Sequence, residues 1–306
     1  MEIDNSHQLQ LPLVEDNKNI PFVVDVLLKY WGEDLNQNFS KPMTLYESLI
    51  FASKKSFNYY IYQGSINDLK KRIDQGIPII VIFPGIYDII QHVILISGYN
   101  TTEKRILTYV PQPDMEGSIP ENKFESEWKQ DDCISILLIP NDMTNIVKKD
   151  DLKFFNSNKI CFEIEKDLKD KNFKQSIDKL NKAIETDRDN AHAWFTLGSI
   201  YNELNDLKSI ECYNNAIKYN DNYYLAYRGL GNYYLKNQNY LLADKFYSKA
   251  ISINPERNGP IYKNRAISRL NLNRNQEGKS DLLRYLEKTP NASDKENINK
   301  AIDELN

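Results

Sequence analysis

Residues 194–201 read Trp-Phe-Thr-Leu-Gly-Ser-Ile-Tyr and residues 227–234 read Tyr-Arg-Gly-Leu-Gly-Asn-Tyr-Tyr, so an aromatic-x-x-Leu-Gly-x-x-Tyr frame returns after 33 residues. Within each copy the large residues fall three and four apart, the spacing of one helical face. The second copy runs on through Ala243, Tyr247, Ala250 and Pro255. The chemistry of the frame follows from packing two helices side by side. Trp194, Leu197 and Tyr201 fill the space between helices, as do Tyr227, Leu230 and Tyr234. Gly198 and Gly231 permit close approach, Ala243 and Ala250 let a second helix pack tightly, and Pro255 ends it. The stripe Tyr213, Tyr234 and Tyr247 reads as core between helices.

Weaker copies flank this pair. Residues 157–190 keep Phe173, Leu180 and Ala183, residues 258–290 keep Tyr262, Asn264, Arg265, Ala266 and Pro290, and residues 291–304 read as a final capping helix. The pattern resembles the tetratricopeptide repeat, whose period is about 34 residues, with one residue deleted. It implies an all-α solenoid over 155–306 of about four repeats, the outer ones degenerate as end repeats are. In that family the inner faces of the first helices line a concave groove that takes peptides or partner helices. By register the groove presents His192, Phe195, Ser199 and Asn202, then Leu225, Arg228, Asn232 and Leu235, then Tyr262 and Arg269. Arg228 and Asn232 suit a peptide backbone or a carboxylate. The plain alternative is that these are solvated face residues.

The first half of the chain changes period along its length. Residues 1–10 are a polar tail. Helices are expected over 21–31, over 44–57 behind the capping box Thr44-x-x-Glu47, and over 65–75 between Ser65 and Gly76. Apolar runs at 78–83, 91–99, 106–110 and 133–139 read as strands. Helices first and strands later indicate an α+β domain with an antiparallel sheet over 11–140. The polar stretch 141–154 reads as a linker.

Two segments of this half carry a second resemblance. Asp16-Asn17-Lys18-Asn19-Ile20-Pro21 followed by Lys29-Tyr30-Trp31-Gly32 resembles the nucleophile segment and helix of papain-like C39 peptidases. Gln91-His92-Val93 through Ser97-Gly98-Tyr99-Asn100 resembles their histidine strand, and Ile106–Pro111 the strand of the orienting residue. The resemblance implies a papain-like fold in a bacterial protein, of the kind placed before tetratricopeptide repeats. It also exposes departures. A cysteine peptidase needs a thiolate, a base and an orienter. The nucleophile position holds Asn19 and the following glycine is Ile20. The oxyanion donor position holds Val14 and the orienter position Val110. His92 alone is kept. The expectation is a pseudopeptidase, with Asn19 helping to cap the helix entered at Pro21, and with a cleft that binds peptide without cutting it. A displaced nucleophile, Cys133 with His92, is the alternative and would make the chain an active cysteine peptidase.

Lys and Arg number 39 against 43 Asp and Glu, for a net charge of −4, which supplies no polycation for a phosphate backbone. Nucleic acid is therefore not an expected partner. Three cysteines and three histidines share no metal-ligand spacing, so neither a metal nor a cofactor is expected. The apolar stretch 77–99 is broken by Pro78, Pro84, Gly85, Asp88 and His92, which excludes a membrane helix there. With no signal-like start, a cytoplasmic location is expected. Taken together, the sequence points to a non-catalytic protein- or peptide-binding scaffold, partnered through the repeat groove.

Overall fold

A computed structural model of the chain describes residues 5–14, 20–35, 41–85, 87, 89–110, 116–257 and 259–305. They fall into two compact units. The first runs to Phe83 and takes in Val93–Lys129 and Cys133–Lys179, and the second takes in Pro84–His92, Gln130–Asp132 and the chain from Leu180 onward.

The first unit is built on a seven-stranded sheet. Its strands are β1 (Ser6–Gln8), β2 (Phe57–Gln63), β3 (Ile79–Pro84), β4 (Gln91–Asn100), β5 (Arg105–Tyr109), β6 (Glu116–Pro120) and β7 (Ile134–Pro140). The order is β2-β7-β3-β4-β5-β6, with β1 pairing β4. The pairs β1–β4, β2–β7, β3–β7, β4–β5 and β5–β6 are antiparallel. The register of β2 on β7 sets Tyr60 against Leu137 and Ile61 against Ile136.

Both faces of the sheet are buried, which explains why its strands read as continuous apolar runs. Ile80, Ile82, Ile134, Ile136 and Leu138 pack with Val24, Leu27 and Leu28 of α1 (Phe22–Tyr30) and Leu49 of α2 (Leu45–Ser53). The alternate residues Ile79, Val81, Phe83, Leu137 and Ile139 pack with Leu69 and Ile73 of α3 (Ile66–Asp74) and Phe124 and Trp128 of α4 (Glu121–Trp128). Strand residues point alternately to opposite faces, so β2, β3, β4, β5 and β7 each serve both cores.

Local chemistry sets the helix ends. Thr44 and Glu47 form the expected reciprocal capping box, Thr44 N–H donating to Glu47 Oε2 at 2.8 Å and Glu47 N–H to Thr44 Oγ1 at 3.2 Å. Ser65 caps α3 by accepting from Asp68 N–H at 3.1 Å. α1 starts behind Pro21, which makes no side-chain cap, and Asn19 lies outside the described residues. Two expectations shift. The helix expected over 44–57 ends at Ser53, and Phe57 opens β2 instead. Ser6–Gln8, expected in a polar tail, is strand β1, with His7 stacked on Tyr99 at 4.6 Å. The stretch 141–154 contains two short 3-10 turns, Asn141–Ile146 and Lys149–Asp151. The next helix, α5 (Phe155–Lys169), stays with the first unit. Its Phe155 and Phe162 pack against the two cores of the sheet.

α6 (Phe173–Thr186) leads into the second unit. There α7 (Ala191–Glu203), α8 (Lys208–Tyr219), α9 (Tyr224–Lys236), α10 (Tyr240–Ile253), α11 (Pro260–Asn271) and α12 (Asn275–Lys288) form three helical pairs, followed by α13 (Lys295–Glu304). Tyr213 and Tyr247 are fully buried, and Tyr234 is half-buried and stacked on Phe246 at 5.5 Å. The repeat glycines have the expected purpose. A Cβ on Gly231 would stand 2.5 Å from the Tyr247 ring, and one on Gly198 would stand 2.9 Å from the Tyr213 ring.

Candidate functional site

The positions matched to a peptidase site have plain structural explanations. Val14 is 2% exposed in the core of the first unit, and its N–H donates to the Tyr109 hydroxyl at 3.3 Å. Ile20 is buried in the same core. Val110 is half-buried beside Gly117. His92 is an exposed residue near the start of β4. Desolvation lowers its pKa and Arg257 adds to this, against a bond from the ring to the Pro84 carbonyl. Cys133 is half-buried, and Cys161 and Cys212 are buried. Among the described residues no group of three or more His, Cys, Asp and Glu side chains is placed to hold a metal ion. No helix among them is long and apolar enough to cross a membrane.

The expected groove residues meet several fates. Leu225 and Tyr262 are buried in the core of the second unit, and the Tyr262 hydroxyl donates to the Pro255 carbonyl at 2.8 Å. Leu235 and Phe195 pack against that core, Phe195 lying 5.2 Å from the Tyr223 ring and 6.0 Å from Tyr213. The Ser199 hydroxyl donates back to the Phe195 carbonyl at 3.0 Å. Asn202 Oδ1 is buried without a hydrogen-bond partner among the described residues. Asn232 Oδ1 accepts from the Tyr247 hydroxyl at 2.8 Å, so it fixes a core side chain. Arg269 is consumed by carboxylates, with Nε on Asp244 at 2.8 Å and Nη1 on Asp281 at 3.0 Å. The Arg265 fork takes Asp281 through both Nε and Nη2, at 2.9 and 2.6 Å.

His192 and Arg228 keep polar character at the middle of the unit. His192 Nδ1 lies 2.8 Å from the Tyr223 hydroxyl, and burial holds its pKa down to about 4. Arg228 is half-buried, with neither a hydrogen bond nor an ion pair among the described residues. Burial lowers its pKa, opposed by Tyr224 and Tyr247 and assisted by the neighbouring Arg257.

Beside them lies a cluster that sequence reasoning missed. Arg257, in the turn before α11, is fully buried, and its Cζ sits 4.3 Å from the centre of the Tyr224 ring. Its Nη2 donates to Asp131 Oδ1 at 2.8 Å and to the Ile90 carbonyl at 3.2 Å. Among the described residues, Arg257 Nε and Nη1, Asp131 Oδ2 and the Tyr224 hydroxyl are buried without hydrogen-bond partners. The neighbours of Asp131 are held too. Gln130 Oε1 accepts from Asn254 Nδ2 at 3.2 Å, and the Asp132 carboxylate accepts from Asn220 Nδ2 at 3.1 Å and from His192 N–H at 3.2 Å. Asn220 and Asn254 are the C-caps of α8 and α10, equivalent places in successive repeats. Burial pushes the Asp131 carboxyl up, against the pull of Arg257 and Gln91. The backbone here is strained. Asp132 and Cys133 are consecutive non-glycine residues with φ of 58° and 52°. Left-handed backbone at such residues costs roughly 1–2 kcal/mol each. Only the recurrence of Asn220 and Asn254 in the repeat frame hinted at this cluster.

A model of the Peptidase_C39 like family matches residues 21–136, and a tetratricopeptide repeat model matches residues 191–223 and 226–257. Similar solved structures include MamA from Desulfovibrio magneticus RS-1, at 12% identity over 49% of this chain and 93% of that chain, with a TM-score of 0.42. Pseudomonas aeruginosa pilF is 18% identical over 49% of this chain and 67% of that one, with a TM-score of 0.43. A thermophilic TPR protein of Thermus thermophilus is 14% identical over 48% of this chain and 81% of that one, with a TM-score of 0.41. No curated protein matches the chain. Helical pairs that repeat the Leu-Gly frame, and a sheet domain ahead of them, thus have their families: residues 21–136 form a Peptidase_C39-like domain, and tetratricopeptide repeats follow it in the same chain.

Proposed function

We propose that the chain is a non-catalytic scaffold that binds a protein or peptide through its repeats, and that its C39-like domain no longer cuts. Val14 carries the second part. A tetrahedral intermediate needs donors aimed at its oxyanion, and this position holds an apolar side chain packed into the core, its N–H already given to Tyr109. Asn19 at the nucleophile position supports the same reading, because an amide nitrogen is not a useful nucleophile at neutral pH. The binding part rests on the repeats and on Arg228, a half-buried guanidinium available to an anionic or carbonyl group.

The test is a pull-down from the native host with full-length protein and with Arg228→Gln, alongside hydrolysis assays on unfolded substrates. Arg228→Gln is preferred to a change at Asn232, which holds Tyr247. A partner captured by the wild type and lost by Arg228→Gln, with no hydrolysis, is the expected result. Hydrolysis that disappears in both Cys133→Ser and His92→Ala would replace the scaffold with a cysteine peptidase.

A further inference from the structure

We infer that Arg257 is the receptor for a carboxylate of an acidic partner peptide, and that Asp131 is a resident occupant which the partner displaces. This rests on the repeat unit being the binding surface.

The Arg257–Asp131 pair is a poor use of both groups. A guanidinium recognises a carboxylate best through two parallel N–H···O bonds. Arg265 does this with Asp281 in the same unit. Arg257 instead offers Asp131 a single nitrogen, leaving Nε, Nη1 and Asp131 Oδ2 buried and without partners among the described residues. Buried polar atoms are almost always paired, and each exception calls for an account. Charge is unbalanced as well among the described residues. Arg228 and Arg257 lie within electrostatic reach of each other. Asp131 is the one carboxylate among the described residues that pairs with either. The Tyr224 hydroxyl, without a partner among the described residues, adds another donor, and its ring is a floor under the guanidinium.

The resident segment also combines side-chain anchors with unfavourable backbone. Gln130, Asp131 and Asp132 are each anchored by side chains of the second unit, while Asp132 and Cys133 carry left-handed backbone. Strain of this kind persists where the surroundings over-determine it and gathers at switch regions. An incoming carboxylate that takes the Arg257 fork with two oxygens would satisfy donors that Asp131 cannot, and Gln130–Asp132 would relax. The ligand is thus a short acidic segment, its carboxylate coming from a side chain or a free C-terminus.

The experiment uses the full chain and fluorescence anisotropy. One labelled peptide reproduces residues 129–134 with serine for the cysteine and blocked termini. A second carries Asn for both Asp residues, and a third combines those Asn residues with a free C-terminus. The Asp peptide is expected to bind Asp131→Asn about tenfold or more tighter than wild type, which is the loss of one competing carboxylate. Adding Arg257→Lys to Asp131→Asn should abolish that gain, because an ammonium cannot present the fork. The first Asn peptide should not bind. Binding of the third would assign the site to C-terminal carboxylates, and its absence to side chains. Equal affinity of wild type and Asp131→Asn, or of the Asp and the blocked Asn peptides, would overturn the inference. Should Asp131→Asn not fold, hydrogen exchange on wild-type protein decides. Millimolar Asp peptide should speed exchange of the 130–132 amides, and unchanged exchange would overturn the proposal. If these peptides fail while a host partner is still captured and lost with Arg228→Gln, this inference falls and the scaffold reading stands.

Discussion

His192 carries an imidazole that its surroundings keep neutral. Burial sets its pKa at about 4, against an ordinary value of 6.5. The sign of the pH effect follows. Between those values the unfolded chain takes up a proton that the folded chain refuses, so stability falls as pH drops from 6.5 towards 4 and is unaffected above that window. At about 1.36 kcal/mol per pKa unit the loss is at most about 3 kcal/mol. Urea melts of wild type and His192→Phe at about pH 7 and about pH 4.5 check it. The variant should lose less stability on acidification, and equal losses would place the acid sensitivity elsewhere. The thiols give a second residue-scale prediction. Burial raises the Cys212 thiol to about 12 and Cys161 is also buried, whereas Cys133 is half-buried. Limited iodoacetamide treatment should therefore label Cys133 first, and comparable labelling of Cys212 would contradict the burial assigned to it. At this scale the burial of Val14 and Ile20 was legible, because an apolar side chain beside an amphipathic helix has the core as its ordinary place. Arg257 was not. Its partner Asp131 is 126 residues away, and no local pattern marks a turn residue as an ion-pair member.

Elements follow from local chemistry where that chemistry is complete. The Thr44–Glu47 box starts α2 as its spacing requires, and Thr44→Ala should cost about 1 kcal/mol, read as a lower urea midpoint. The repeat glycines make a stronger case. Gly231→Ala drives a methyl against the Tyr247 ring, and Tyr247 is fully buried, so a loss of about 1–3 kcal/mol is expected. A Gly231→Ala melt within a few tenths of a kcal/mol of wild type would show that the helices can part there. Gly229 went unread in the sequence although its Cβ would stand 2.5 Å from the Tyr213 ring, because it lies outside the Leu-Gly frame. The end of α2 was also misjudged. Ser56 adopts a φ of 67°, the chain turns, and Phe57–Gln63 becomes β2. Its aromatic run suits a strand, but a helical run ahead of it with no Gly or Pro between concealed the change. α4 is short and polar, burying Phe124 and Trp128, and so left too faint a period to read.

At the scale of the whole molecule, the division into an α+β part and a helical part was legible from the change of period. Its position was not. α5 has the pattern of a repeat helix, yet Phe155 and Phe162 pack on the sheet. The repeat reading would cut at 154, which removes those side chains from the first unit and also parts the second from Gln130–Asp132. A fragment of residues 155–306 should therefore melt at lower temperature than the helical signal of the full chain. An unchanged midpoint would make the packing of α5 on the sheet, and the Asp131 pair, dispensable to the helical part. The strand order has a consequence for synthesis on the ribosome. β7 sits between β2 and β3 although it is the last strand of the sheet to be made. Pairing of Tyr60 with Leu137 must close a long loop, so β2 and the β7-facing edge of β3 wait unpaired until β7 emerges, although β4 can already take the other edge of β3. The helical pairs that follow meet their neighbours within a few tens of residues and can form as they appear. The nascent chain therefore carries apolar strand edges without their partner until β7 is made, and the burden on chaperones falls on the first half of translation.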